Sequence, residues 1–222
     1  MKELTVCELF DLSHTIAKPL LSSIIYPWEA LPKIKDFIIE IGKNLPADEY
    51  SSPSEGVWIA KDASVAPSAV INPPCIIGKG AEIRQCAFIR GSAIVGDGAV
   101  VGNSCELKNC ILFDKVQVPH FNYVGDSILG FKSHMGAGAI TSNVKSDKTL
   151  VTISAGSEKI PTGLKKVGAI LGDCVEVGCN SVLNPGTVIG KNSNVYPLSS
   201  VRGYVPQGHI FKSPEHIVIK KE

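Results

Sequence analysis

Residues 59–112 fall into blocks of six: IAKDAS, VAPSAV, INPPCI, IGKGAE, IRQCAF, IRGSAI, VGDGAV, VGNSCE, LKNCIL. The first position is Ile, Val or Leu in all nine blocks, and the fifth is Ala or Cys in the first eight. The same register returns at Leu171 with LGDCVE, VGCNSV, LNPGTV, IGKNSN and VYPLSS, and Val201 opens VRGYVP. A period of six is too short for any helical repeat. It suits a parallel solenoid with one short strand and one turn per block, three blocks closing a triangular coil of about 18 residues. The aliphatic first residue points inward, and a small fifth residue fits a tight corner. Gly or Asn often follows the aliphatic residue (Gly78, Asn72, Gly96, Gly102, Gly178, Asn184), as a turn requires.

Working outward, residues 1–50 read as a small helical cap and linker. Ala30, Ile34, Phe37, Ile38 and Ile41 recur at helical spacing. PADEYSSPSEG is rich in turn formers. The cap is expected over one end of the solenoid, where it would hide the strand edges of the first coil. Residues 51–205 form the solenoid, with an irregular loop at about 144–168 where the sixes fail. Residues 206–222 form a C-terminal arm ending in EHIVIKKE, read as a strand or extended segment.

The chain has 222 residues, of which 44% are hydrophobic, and a net charge of +1. That supports a real core and calls for neither a nucleic-acid nor a membrane-surface partner. No apolar run has membrane-spanning length, and MKELTVCELF lacks the basic flank and apolar core of a signal peptide. A cytoplasmic location is expected. The seven cysteines include no C-x-x-C pair, so they read as small buried residues in a reducing compartment, and no metal is expected.

The hexapeptide pattern resembles the hexapeptide-repeat family, whose fold is a left-handed parallel β-helix. The handedness comes from that resemblance: it is an exception to the usual right-handed crossover, and periodicity alone would not give it. A narrower resemblance runs without a gap from Arg90 to Asn143. VGN, ELK, HFNYVGD and HMGAGAITSN are similar to V-G-N, E-x-K-K, H-x-x-Y-x-G-D and N-I-G-A-G-T-I-T-x-N. The latter belong to the acetyltransferase domain of the bifunctional bacterial enzymes that make UDP-N-acetylglucosamine.

That resemblance implies an acyltransferase using acetyl-CoA or another acyl-CoA, acting on an amino sugar phosphate or a nucleotide-linked sugar, in a homotrimer. His120 matches a general base and Asn143 a substrate-side amide that steers the reaction. Arg90, Lys108 and Tyr123 match sugar-phosphate ligands, since a guanidinium and an ammonium suit that anion. His134 stands where the family has a sugar-binding Asn, which puts the sugar's identity in question. Ala137 matches a backbone N–H beside the acetyl group, with Gly136 allowing close approach. Lys166, with Lys165, could meet the CoA phosphates or merely solvate a loop.

Plainer readings stand beside these. Arg90 and Lys108 occupy second positions of their blocks and point outward, where a basic pair is usually a solvated face. Their 18-residue separation stacks them one coil apart. No G-x-G-T-R-M-like loop and no α/β domain is present, so nucleotidyl transfer is not expected of this chain. A non-catalytic, regulatory sugar-nucleotide-binding β-helix is the alternative function. A zinc carbonic anhydrase on the same fold is a third, needing ligands from His120 and His134.

Overall fold

The aliphatic six-residue beat produces a parallel β-helix with three faces in the computed structural model, which describes residues 1–220. The first face stacks Val57–Ala60, Cys75–Ile77 and Ala93–Val95. It continues through the latter parts of Glu106–Leu112 and Tyr123–Leu129 to Ala169–Leu171, Thr187–Ile189 and Tyr204–Val205. The second face runs from Ser64–Val65 through Val100–Asn103, Gln117–His120 and His134–Met135 to His209–Ser213. The third runs from Val70–Ile71 through Phe88–Ile89 and the first parts of the two long strands to Ser200–Val201. First-position residues such as Ile77, Ile83, Ile89, Val95, Val101 and Leu107 are buried, as are fifth-position Ala81, Ala87, Ala93 and Ala99. Side chains alternate across each strand, so one residue in two fills the core.

The sixes fail after Phe113 for a different reason than an excursion. Val57 pairs with Cys75 and Cys75 with Ala93, a spacing of 18. Ala93 pairs with Cys110 and Cys110 with Ser127, a spacing of 17. Each of those two coils is one residue short and stays in register. The residue is lost at the corner from the third face to the first. Glu106–Leu112 and Tyr123–Leu129 therefore run through that corner as single seven-residue strands. They turn at Asn109 and Asp126, whose φ angles are 50° and 48°, a left-handed geometry that Asn and Asp tolerate better than most.

The true excursion comes next. Ile128 pairs with Ile170, a spacing of 42, so an ordinary coil carries 24 extra residues between Asn143 and Gly168. They form an antiparallel hairpin, Thr152–Ala155 with Glu158–Pro161. Val151 and Ile153 of this hairpin are buried. They lie against Gly186, where an added Cβ would come within 2.8 Å of the Val151 Cγ1.

The N-terminal segment is helical, but it lies along the flank and not over the end. Helix Ile34–Gly42 crosses the strands Cys75–Ile77, Ala93–Val95 and Glu106–Leu112, and the 3-10 helix Pro27–Lys33 packs on Tyr123–Leu129. The reason is an apolar stripe on the outside of the first face. Ile76, Ile94, Ile111, Ile128, Ile170 and Val188 are all 0% exposed. Burying each is worth about 1.5–3 kcal/mol, and the helices carrying Trp28, Leu31, Ile34 and Ile38 pack on the strands of Ile76, Ile94, Ile111 and Ile128. Asp173 fastens the segment: its carboxylate accepts from the Asp11 N–H at 2.7 Å and the Phe131 N–H at 2.9 Å. The strand edge of the first coil is instead covered by Tyr50–Ser54, antiparallel to Val57–Ala60. The turn-rich "linker" is thus largely an edge strand. At the far end, His216–Ile219 folds antiparallel onto His209–Ser213.

Cys75, Cys105 and Cys110 are buried as small core residues, whereas Cys7, Cys86 and Cys179 are exposed. Among the described residues no helix is long and apolar enough to cross a membrane.

Coil spacing makes a sharp mutational contrast. A Cβ on Gly102 would sit 1.6 Å from the Pro119 carbonyl oxygen of the next coil, while one on Gly80 meets nothing within 4 Å. Gly80→Ala is expected to cost about 1–2 kcal/mol through its positive φ alone. Gly102→Ala should exceed about 3 kcal/mol, because backbone must move. Urea unfolding followed by circular dichroism checks both.

Candidate functional site

The two short coils bring polar side chains to the corner where the third face meets the first. Lys108 and Arg90 project from one column of the third face, since Leu107 pairs with Ile89. Gly125 lies above Lys108 in the same column. An added Cβ at Gly125 would lie 2.4 Å from the Tyr123 hydroxyl and 2.9 Å from the Asn143 amide nitrogen, so both side-chain ends would have to shift.

Asp126 is the hub of this cluster. It is 4% exposed. The Lys108 ammonium donates to its two carboxylate oxygens at 3.1 and 3.0 Å. The Asn109 amide donates at 2.9 Å, and the Asn143 amide donates to Oδ2. Asn143 also donates to the Tyr123 hydroxyl at 3.3 Å. Burial, then the Asp126 charge, pushes the Tyr123 phenol above its ordinary range, while the Asn143 hydrogen bond acts the other way. Arg90 is held by Glu106 at 2.7 Å. Lys108, Tyr123 and Asn143 therefore form one group, with Arg90 one coil below.

His120 sits at a different place, the corner between the second and third faces. It is exposed. Its carbonyl accepts the Gly138 N–H at 3.0 Å, and the 17-residue pairing of Gln117 with His134 puts Ala137 directly above it. The buried Asn122 ties these two layers together. Its Oδ1 accepts from the His120 N–H at 3.1 Å, and its Nδ2 donates to the Gly136 and Ala139 carbonyls at 2.8 and 3.0 Å. Gly136 is buried beneath Cys179, where a Cβ would come within 2.7 Å of backbone nitrogen.

His134 does not join the Tyr123–Asn143 group. It lies on the second face, with its Nδ1 2.8 Å from a Glu176 carboxylate oxygen, in a shallow cleft of about 340 Å³ shared with Lys115, Gln117 and Lys132. Lys166 is exposed at the returning end of the insertion. The next residue, Val167, donates its N–H to the Asn143 carbonyl at 3.1 Å, so the backbone at Lys166 returns beside Asn143. Among the described residues no three His, Cys, Asp or Glu side chains group as metal ligands.

Sequence reasoning gave no role to Asn109, to Asn122 or to Asp126, although Asp126 closes the HFNYVGD stretch. Asp126 and Asn109 carry a further signal: they occupy the shortened corner, where the count slips by one.

The chain is similar in part to several known proteins. Residues 89–193 match the family model of the GMPPB C-terminal domain. The chain is 34% identical over 119 residues to the bifunctional protein GlmU of Methanococcus maripaludis, covering 53% of this chain and 29% of that one. It is 33% identical over 109 residues to the bifunctional sugar-1-phosphate nucleotidylyltransferase/acetyltransferase of Sulfurisphaera tokodaii, covering 49% and 27%. It thus spans under a third of those relatives' length. Among solved structures, the Francisella novicida UDP-N-acetylglucosamine acyltransferase aligns with a TM-score of 0.47 at 13% identity, over 73% of this chain and 64% of that one. The coil pairing and the repeat define a hexapeptide-repeat β-helix protein. About half of this chain is similar to a segment of the GlmU of Methanococcus maripaludis.

The shifted phenol is testable. Difference spectrophotometric titration of wild type against Tyr123→Phe should remove a tyrosine that ionises above the ordinary value of about 10. Because the folded value is raised, folding is favoured by this group below that ordinary value. The contribution is lost as pH rises through the folded value.

Proposed function

We propose that the protein is an acyl-CoA-dependent transferase acting on an amino sugar phosphate or a nucleotide-linked amino sugar. The observation that carries this reading is the stacking of His120 directly beneath Ala137, beside a face bearing Arg90, Lys108, Tyr123 and Asn143. The GlmU-like sequence relatives support it.

The acceptor's amine or hydroxyl attacks the thioester carbonyl carbon. His120 takes the acceptor's proton, because imidazole titrates near neutral pH. A backbone N–H near Ala137 meets the oxyanion, and Gly136 keeps that corner free of side chain. The carbon–sulfur bond then breaks, and the leaving thiolate takes the proton to give free CoA. Arg90, Lys108 and Tyr123 hold the acceptor's phosphate, Asn143 orients its reacting end, and Lys166 meets the CoA phosphates. No metal takes part. His134 lies too far along the second face to share this group's hydrogen bonds, so it serves a site only where another copy brings its second face alongside. A homotrimer supplies that arrangement. The helices occupy the first face, which leaves the second and third faces for contact between copies.

A second reading is favoured by one observation. Both phosphate-holding cations already carry carboxylate partners, Glu106 and Asp126. A β-helix that binds a sugar nucleotide without chemistry would tolerate that.

Thiol release from acetyl-CoA with glucosamine 1-phosphate and nucleotide-linked amino sugars decides between them. For the enzyme, His120→Ala should lower kcat by about 10²–10⁴-fold with KM little changed. Wild type that releases no thiol, yet melts higher with a sugar nucleotide, would establish the binding module.

A further inference from the structure

The unexpected residue in the site is a carboxylate with no obvious reason to be buried. Asp126 lies at a left-handed φ of 48° on a corner that lost a residue. Its carbonyl accepts the Gly168 N–H at 2.7 Å, which pins the point where the insertion rejoins the solenoid. Four groups are thereby fixed relative to one another: the Lys108 ammonium, the Asn109 amide, the Asn143 amide and, through Asn143, the Tyr123 hydroxyl.

Three of those four belong to the proposed acceptor site, and all three hydrogen-bonding partners of the carboxylate are donors. An ionised carboxylate accepts from all of them, whereas an amide in its place would face donors with donors. Lys108 has four rotatable carbons and a side chain only partly covered by protein. Without an anchor its ammonium would sample many positions.

We propose that Asp126 is a positioning residue of the acceptor site. Its buried carboxylate holds Lys108, Asn143 and, through Asn143, Tyr123 in the one arrangement that receives an anionic amino sugar. This inference rests on the acyl-transfer reading for the identity of the ligand, but the positioning itself does not. Asp126 touches no reacting atom. It acts through Lys108 and Asn143, and it couples them to the exit and return of the 144–168 insertion.

The test compares wild type, Asp126→Asn, Lys108→Met and the double variant, with circular dichroism and melting temperature as folding controls. In the first readout, surface lysines are labelled with acetic anhydride and quantified by peptide mass spectrometry. Lys108 labelling should rise several-fold in Asp126→Asn, while Lys115 labelling is unchanged. In the second, turnover of acetyl-CoA with glucosamine 1-phosphate should show the acceptor KM raised by up to about a hundredfold, with the acetyl-CoA KM unchanged. Adding Asp126→Asn to Lys108→Met should raise the acceptor KM by much less than it does in wild type. Unchanged Lys108 labelling, or an acceptor KM that multiplies independently in the double variant, overturns the proposal. If Asp126→Asn fails to fold, Asp126→Glu replaces it. That change keeps the charge but moves it, and an unaltered acceptor KM would then overturn the proposal equally. Freed Lys108 in a protein that turns over no amino sugar supports the positioning and counts against acyl transfer.

Discussion

The structure depends on one repeated requirement: each coil must pair its backbone N–H and carbonyl groups with those of the coils on either side. Val57, Cys75 and Ala93 satisfy it at intervals of 18, and Cys110 and Ser127 satisfy it at 17. Unpaired buried peptide groups are costly, so the ladder tolerates a lost residue only where a corner absorbs it. The corner that does so takes left-handed residues, and two of these, Asn109 and Asp126, are polar and chemically useful. Strand pairing and site construction are therefore one problem: the register that keeps the ladder intact also selects what can stand at the corner.

Burying Asp126 has a consequence for the fold as well as the site. A carboxylate so enclosed is tolerable only with its donors in place. Lys108 and Asn143 are thus structural partners of Asp126 before they are ligands of anything else. Asn122 plays a similar part at the other corner, joining the layer of His120 to the layer of Ala137 with one side chain. Both corners use a buried polar group as a spacer between adjacent coils.

Much of this was legible in the amino-acid order. The aliphatic first positions and small fifth positions gave the solenoid, and the outward direction of Arg90 and Lys108 followed from it. The helical spacing of Ala30, Ile34, Ile38 and Ile41 was sound, but their destination was not read. The signal lay in a second, slower rhythm: Ile76, Ile94, Ile111 and Ile128 recur once per coil and mark one outer face as covered. The resemblance groups His134 with Tyr123 and Asn143, whereas its strand lies on the second face and Tyr123 is on the third. A slip of one residue per coil upsets the count of six without breaking the coil. A lost residue at a corner and a departing loop look alike until pairing partners are known.

Both ends of the stack are turned back on themselves. Tyr50–Ser54 and His216–Ile219 run against the direction of every coil they touch. On the first face at one end and the second face at the other, a further parallel strand would therefore meet an antiparallel neighbour instead of a matching ladder. A unit of one coil gained or lost within the stack leaves both hairpins undisturbed. Variation in such a chain should be sought as internal duplication near the middle of the stack, with the two terminal hairpins carried along intact.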